Sequence, residues 1–149
     1  MRALLASALA LFMVACEAGI PGPAALDTRN DACSECRMTV SSPRFASQLV
    51  APGEEPRFFD DLGCLAAYLR DHANLPPGAV AYVADHRGGE WVAPGDAIFT
   101  IAPGLVTPMG SHVVAHASAS SRDADPAARL GTAVDAVAFF GRPLPDGTR

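Results

Sequence analysis

The longest apolar run of the chain lies at its N-terminus, so we expect the folded domain to begin after it. Residues Leu4–Val14 read LLASALALFMV, and these eleven apolar or small residues are too few to span a bilayer. The length suits the hydrophobic region of a signal peptide. The segment Met13-Val14-Ala15-Cys16 at its end is typical of a bacterial lipobox. We therefore expect residues 1–15 to be removed and Cys16 to be acylated, with an ordinary signal peptide and an incidental Cys16 as the alternative.

This N-terminus predicts export and a lipid anchor. Glu17 follows the cysteine where Asp would signal retention in the inner membrane, so the outer membrane is favoured over the inner. No later apolar run is long enough to span a bilayer. We expect a water-soluble domain on the periplasmic side of the cell envelope, held to a membrane by its acyl chains.

Length and charge exclude several classes of protein. The 149 residues suffice for one compact domain or two very small ones. Half of the residues are hydrophobic and 18% are charged, which excludes a disordered charged tail. The chain has 11 arginines and no lysine, against 16 acidic residues, for a net charge of −5. Because nucleic acid binding requires a basic face, this balance argues against a nucleic acid partner.

The first half of the mature chain begins with residues 16–32, which are rich in Gly, Pro and Ala and predict a lipid-anchored flexible tether. The elements predicted after it are two strands, a helix capped by Asp60 or Asp61, and a third strand. Their ranges are Arg44–Val50, Pro56–Asp60, the helix to about His72, and Ala79–Ala84.

The second half repeats a similar order of elements. Strands are predicted over Glu90–Ala93, Ile98–Ala102 and His112–Ser118. A helix is predicted from Asp123 to about Val134, with Asp125 near its start and Pro126 in its first turn, and a last strand over Ala136–Phe140.

The order strand-strand-helix-strand therefore occurs twice. Each half is too small to bury a core unaided, so the sequence predicts an α+β fold of two small subdomains packed together. We place them at about 33–86 and 87–141, within one domain over 33–141, and expect 142–149 to be a flexible tail.

Sulfur is densest at Cys33-Ser34-Glu35-Cys36-Arg37-Met38. Two thiolates and a thioether are soft ligands, which select soft ions and Cu(I) above all. Two cysteines at this spacing can close around one ion, and Met38 can reach it from an extended chain. Met109, between Pro108 and Gly110, is predicted to lie on a turn, where filling a gap in the core is a weaker explanation than usual.

Several other interpretations remain open. Cys33 and Cys36 could form a structural disulfide after export, or a redox-active pair, although such pairs usually lie at a helix N-terminus after a strand. His112 and His116 could complete a zinc site with the two cysteines. Cys64, in the first turn of the predicted helix, is favoured as a small buried hydrophobe.

Catalysis finds little support in the sequence, which lacks a Gly-rich phosphate loop, Gly-x-Ser-x-Gly and His-Glu-x-x-His. Helix capping explains the carboxylates of Asp60 and Asp61 more simply than catalysis does. We therefore predict a carrier and not an enzyme.

Five motifs, in order behind the lipobox, resemble the NosL family of exported copper chaperones for nitrous oxide reductase. They are Cys33-x-x-Cys36-x-Met38, Phe59-Asp60-Asp61-x-Gly63-Cys64 with Tyr68, Tyr82-Val83-x-Asp85, Trp91-Val92-Ala93, and Thr107-Pro108-Met109-Gly110. The resemblance implies two small strand-strand-helix-strand units. It also implies delivery of Cu(I) to nitrous oxide reductase and its copper-loading membrane machinery, with Cys33, Cys36, Met38 and Met109 as the metal ligands.

The chain departs from this family pattern at two places. Arg37 stands where the family commonly has Gly, and Ser111-His112 follow Met109 where small residues are usual. Arg37 would change how the loop of Cys33, Cys36 and Met38 approaches the ion. The second adds a possible nitrogen ligand, His112, near Met109, as a weaker candidate than the sulfurs.

Overall fold

The computed structural model describes residues 19–147. The predicted signal peptide and the predicted lipidation site Cys16 therefore lie outside the described residues. Within 19–147, no helix has the length and apolarity needed to cross a membrane.

The first unit is a four-stranded antiparallel sheet with one helix. Its elements are β1 (Ser47–Val50), β2 (Arg57–Phe59), α1 (Leu62–Asp71), β3 (Val80–Ala84) and β4 (Trp91–Val92). The strand order is β2-β1-β3-β4, so β1 is central.

The second unit is a three-stranded antiparallel sheet with two short helices. Its elements are β5 (Ile98–Ile101), β6 (Val113–His116), α2 (Ala119–Ala124), β7 (Thr132–Ala133) and α3 (Ala136–Phe140). The strand order is β6-β5-β7, so β5 is central.

The two units share one topology. In each, the first strand is central, the second strand pairs with one side of it, and the strand after the helix pairs with the other. The predicted α+β fold with a repeated strand-strand-helix-strand order is confirmed. The helix and last strand of the second unit, however, lie at other residues than predicted.

The predicted helix over Asp123–Val134 is wrong in its position. Helix α2 begins earlier, where the Ser118 hydroxyl accepts a 3.1 Å hydrogen bond from the amide of Ser121. It ends at Asp125, whose extended backbone (φ −89°, ψ 107°) is what a residue preceding proline favours. Asp125 is thus a C-cap and Pro126 follows the helix instead of starting it.

The predicted strand over Ala136–Phe140 is a helix. Asp135 caps its start by accepting a 2.8 Å hydrogen bond from the amide of Ala138, and Gly141 ends it with φ 76°. A five-residue apolar run does not distinguish a strand from a buried helix by periodicity. Packing decides, because Phe140 is fully buried and contacts Phe99 at a ring-centroid distance of 5.4 Å.

Helix α1 carries the main core and lies where the sequence predicts it. Asp61 caps it and His72 ends it, as expected. Its buried face is formed by Leu62, Cys64, Leu65, Ala66 and Leu69, which pack against both sheets and α3. Residues Pro43–Phe45 form a 3₁₀ turn, so β1 begins three residues later than the predicted strand.

Within the described residues, parts of the segments expected to be a flexible tether and tail form hydrogen bonds with the first sheet. The Tyr82 hydroxyl donates to the carbonyl of Pro21 at 2.8 Å, and the Gln48 side chain pairs with the backbone of Ala24. Near the C-terminus, the amide of Ala81 donates to the carbonyl of Pro145 at 2.8 Å.

Candidate metal centre

The loop between the first two described cysteines is a tight turn fixed to the first sheet. The amide of Cys33 donates to the carbonyl of Met38 at 2.7 Å, and the amide of Arg37 donates to the carbonyl of Cys33 at 3.0 Å. The amide of Ser34 donates to the carbonyl of Phe58 in β2 at 2.8 Å. These bonds hold Cys33 fully buried and Cys36 half-buried at the domain surface.

Arg37 has a left-handed backbone, with φ 68°. This conformation strains a residue with a Cβ atom and is most easily adopted by glycine. A glycine, which the family resemblance leads one to expect at this position, would adopt this conformation without strain. Arg37 adopts the same turn, but its Cβ atom makes this backbone conformation strained.

Asp60 and Cys64 complete a group with the two cysteines of the loop. Asp60 follows β2, and Cys64 lies in the first turn of α1. The thiol of Cys36 donates to Oδ1 of Asp60 at 3.4 Å. One ligand atom from each of Cys33, Cys36, Asp60 and Cys64 lies within 4.8 Å of those of the other three. We call these four residues the cysteine cluster.

Burial controls the protonation of the cluster. Loss of solvation raises the pKa of Cys36, and the neighbouring Cys33 thiol and Asp60 carboxylate raise it further. The pKa of Cys64 is also raised, by burial first and then by Asp60 and Cys33. Without a metal, Cys36 and Cys64 are therefore neutral thiols at pH 7, and a bound cation would replace their protons.

The donor set fits a soft monovalent ion. Three sulfurs within reach of one point favour Cu(I), and the single carboxylate supplies a harder ligand or a proton acceptor beside Cys36. Three sulfurs with one further ligand also suit tetrahedral zinc. The donor atoms of the cluster therefore suit both Cu(I) and Zn²⁺.

Asp61 joins the cluster to the loop that carries Met109. Its Oδ1 accepts a 2.7 Å hydrogen bond from the amide of Gly63, and its Oδ2 accepts from the Thr107 hydroxyl at 2.6 Å and the Met109 amide at 2.8 Å. Burial alone would raise the pKa of Asp61, but hydrogen bonds, including those from Ser111 and Thr107, outweigh it and lower the pKa. The carboxylate is therefore ionised and holds the loop against α1.

The close fit of this loop explains Gly63. A Cβ atom at Gly63 would lie 2.9 Å from the Cβ atom of Ser111, closer than such atoms approach in proteins. The second unit thus covers the start of α1 directly beside Cys64. This packing brings together the Gly63-Cys64 and Thr107–Gly110 motifs, which are far apart in the sequence.

The two predicted thioether ligands are exposed. The side chains of Met38 and Met109 are 57% and 48% accessible, although large apolar side chains usually avoid solvent. The carbonyl of Met38 accepts a hydrogen bond from the amide of Cys33. The amide of Met109 donates a hydrogen bond to Asp61, which is adjacent to Asp60. Both methionines therefore lie in the loops that border the cluster, and their role as ligands stays a prediction.

The histidines of the zinc alternative do not join the two cysteines. Nδ1 of His112 lies 2.7 Å from the carbonyl of Leu105, and its backbone is left-handed at φ 57°. His116 is fully buried, with Nε2 at 3.0 Å from Asp125. Among the described residues, the ligand group around Cys33 and Cys36 contains no histidine.

The sequence interpretation missed two members of the cluster. The sequence favours Cys64 as a buried hydrophobe, and it is 4% exposed, but its sulfur also lies in the ligand group. Asp60 is explained from sequence as a helix cap, a role that Asp61 alone performs. The signal was the pair of aspartates itself, because only one of two consecutive residues can occupy the N-cap position, which leaves the other carboxylate for a different role.

Comparison with known proteins identifies the family of the chain. The NosL family model matches residues 23–134, which is most of the chain and includes the cysteine cluster and Met109. No curated protein and no solved structure matches the chain. Together with the three sulfurs and the carboxylate of the cluster, this match indicates a copper-related function. The chain belongs to the NosL family.

Proposed function

We propose that this protein is an exported copper carrier, not an enzyme, and that it binds Cu(I) and delivers it for the maturation of nitrous oxide reductase. The observation that carries the proposal is the cysteine cluster, in which three sulfurs and one carboxylate oxygen converge. Cys33, Cys36 and Cys64 would hold the ion as thiolates, because the thiolate is the strong ligand.

Delivery requires a site that partner ligands can enter. Cys33 and Cys64 are buried, whereas Cys36 is half-buried and Met38 and Met109 are exposed. A Cu(I) ion could therefore be passed outward from buried thiolates to weaker thioether ligands at the surface, where a partner's ligands could displace them. This gradient of exposure supports a carrier over a storage protein or a structural metal site.

The oxidoreductase alternative is less well supported. Reactive thiols have a lowered pKa, commonly from a helix N-terminus or a neighbouring cation. Here the pKa of Cys36 is raised by burial and by Cys33 and Asp60, and the pair lies on a loop tied to a strand. Such a thiol is a poor nucleophile at pH 7 but a good ligand once a metal displaces its proton.

The proposed environment follows from the N-terminus. An acylated Cys16 would anchor the domain on the periplasmic side of a membrane, with the outer membrane favoured. The nitrous oxide reductase and its copper-loading membrane machinery would be the partners. Detection of an acylated N-terminal cysteine by mass spectrometry of protein from membranes would test the anchor.

The metal site is tested by Cu(I) titration against a chromophoric chelator under anaerobic, reducing conditions. The wild type should bind one Cu(I), and Cys33→Ser/Cys36→Ser should abolish binding while circular dichroism shows an intact fold. Cys64→Ala should weaken binding at least tenfold. Ser34→Ala, in the same loop but outside the cluster, is the matched control. Undiminished affinity in the double variant would overturn the site assignment.

Metal analysis separates the carrier from a zinc protein. Protein purified without oxygen should contain Cu(I) and no stoichiometric zinc at the cluster. Copurified zinc at one ion per chain that is lost in the Cys33→Ser/Cys36→Ser variant, with loss of fold on adding a chelator, would instead indicate a structural zinc site at the cluster. Delivery is tested in cells, where wild type, but not the double variant, should restore copper to nitrous oxide reductase when the native gene is deleted.

A further inference from the structure

A second group of potential ligands is formed by residues of both units. It consists of His86, in the turn after β3, His116, at the end of β6, and Asp125, the C-cap of α2. Each of the three residues is at most 3% exposed. Polar side chains are rarely buried this deeply without a specific role.

The three side chains converge on one oxygen. Nδ1 of His86 lies 2.6 Å from Oδ2 of Asp125, and Nε2 of His116 lies 3.0 Å from the same atom. The other oxygen, Oδ1, accepts a 2.9 Å hydrogen bond from the amide of Ala127. The carboxylate is thus oriented by the backbone, with Oδ2 left for the two imidazoles.

The backbone around the group is fixed. The amide of His86 donates to the carbonyl of Ala115 at 2.8 Å, and Oδ2 of Asp85 accepts from the amide of Ala117 at 2.7 Å. The two imidazole rings are nearly perpendicular, at 77°, with centroids 6.0 Å apart. One ligand atom from each of His86, His116 and Asp125 therefore lies within 4.8 Å of those of the other two, although the three residues come from separate segments of the chain.

Hydrogen bonding alone does not explain the burial of His116. Its Nδ1 atom is fully buried and, among the described residues, has no hydrogen-bond partner. Buried polar atoms in native structures nearly always have one. The hydrogen bond of the ring that the structure records is the one between Nε2 and Asp125.

We propose that His86, His116 and Asp125 form a second metal site, for a divalent ion of the zinc type. Imidazole and carboxylate ligands suit borderline divalent ions, whereas Cu(I) prefers the sulfurs of the cysteine cluster. The ionised Asp125 carboxylate supplies a buried negative charge, which a divalent cation would offset. The two sites would thus select different ions by ligand softness.

The unpartnered Nδ1 atom also sets the expected strength of this site. When Nε2 binds a metal, the ring proton resides on Nδ1, and a metal-ligating histidine usually donates it to an acceptor. His116 lacks that acceptor among the described residues. Because the loss of such partners typically weakens metal binding by about 10–100-fold, we expect an exchangeable ion and not a permanently held one.

The experiment isolates this site from the cysteine cluster. The full chain with Cys33→Ala, Cys36→Ala and Cys64→Ala is titrated with zinc alone, and bound zinc is measured by competition with a chromophoric chelator. One zinc per chain is expected, with X-ray absorption showing two imidazoles. His116→Gln should lower the affinity at least tenfold, while His72→Gln, at an exposed histidine, should leave it unchanged.

Two results would overturn the second site. One is the absence of zinc binding by the chain with the three Cys→Ala substitutions, and the other is equal affinity in its His116→Gln variant. If either variant fails to fold, wild-type protein is titrated with Co²⁺. The second equivalent of Co²⁺ should then add ligand-field bands without further thiolate charge-transfer absorption. If these additional bands do not appear, the second site is refuted. Because the chain in the main test lacks the three cysteines of the cluster, its outcome is independent of Cu(I) binding there.

Discussion

The carboxylate of Asp61 accepts a 2.6 Å hydrogen bond from the hydroxyl of Thr107, 46 residues later in the chain. The same Oδ2 atom accepts the amide of Met109 at 2.8 Å. One buried side chain therefore caps the helix that carries Cys64 and fixes the loop that carries Met109. Asp60, its neighbour, points into the cysteine cluster instead. Two adjacent aspartates thus link the cysteine cluster to the loop that carries the exposed Met109.

Asp61→Asn should destabilise the domain. The amide group replaces one acceptor oxygen by a donor, so the hydrogen bonds from Gly63, Thr107 and Met109 are no longer all satisfied. We expect a loss of about 1–3 kcal/mol in the free energy of unfolding, typical of a buried polar group left unsatisfied. Urea unfolding followed by circular dichroism measures it. Asp96→Asn, at an exposed position, is the matched control, and an equal effect in both variants would contradict this role for Asp61.

The elements with strong local signals were predictable, and those decided by packing were not. Helix α1 has an N-cap at Asp61 and an apolar face of the correct period, so its limits followed from the sequence. Ala136–Phe140 is only five residues long and apolar throughout. Its helical conformation depends on Asp135 as a cap and on the burial of Phe140 against Phe99, which periodicity does not reveal.

The same distinction holds for the metal site. The spacing of Cys33 and Cys36 was sufficient to predict that both belong to one site. Cys64 and Asp60 join them through the pairing of the loop with β2 and the start of α1, for example the bond between Ser34 and Phe58. Such contacts between distant segments depend on the tertiary fold. The sequence motif therefore suggested a metal site, whereas Cys64 and Asp60 became candidate ligands only through the fold.

Arg37→Gly should stabilise the protein. Arg37 has φ 68°, and a left-handed backbone costs a residue with a Cβ atom about 1–2 kcal/mol. Glycine removes that strain but has more freedom in the unfolded chain, so we expect a net gain of about 0.5–1 kcal/mol. Thermal and urea unfolding measure it. Arg70→Gly, within α1, should instead lose about 1 kcal/mol, and a loss in both variants would show that Arg37 is not strained.

Cu(I) binding should strengthen as the pH rises. Burial and neighbouring groups raise the pKa of Cys36 and Cys64, so the metal-free protein binds protons that the ion must displace. Below the thiol pKa values, the apparent affinity should increase about tenfold per pH unit for each proton released. Anaerobic titrations at several pH values measure the slope.

Cys64→Ala provides the control for this pH dependence. It removes one displaced proton, so the slope of log affinity against pH should fall by about one. Leu65→Val, a buried neighbour in the same helix that offers no ligand atom, should leave both the slope and the affinity unchanged. An affinity independent of pH in the wild type would mean that the ion does not displace thiol protons.

Oxidation should switch off Cu(I) binding. Cys33, Cys36 and Cys64 are free thiols, and Cys36 is the most accessible of them. Oxidised glutathione would take two electrons from Cys33 and Cys36, forming a disulfide and releasing two molecules of reduced glutathione. The disulfide removes two of the three thiolates, so little Cu(I) binding should remain, and a mild thiol reductant should restore it. If exported as proposed, the protein would then require low oxygen, a reducing partner or early copper loading.

The test begins with oxidised, metal-free protein in which mass spectrometry confirms the Cys33–Cys36 bond. Cu(I) is then titrated against a competing chelator without reductant, and reduced protein is the reference. Protein loaded with Cu(I) before oxidation should resist both disulfide formation and alkylation, because the bound ion occupies the thiolates. If oxidised and reduced protein bind equally well, the thiolates are not the ligands. Met38, Met109 and His112 would then have to hold the ion. We expect that set to bind Cu(I) more weakly than the thiolates, because the two methionines are exposed and the His112 ring is already hydrogen-bonded to Leu105.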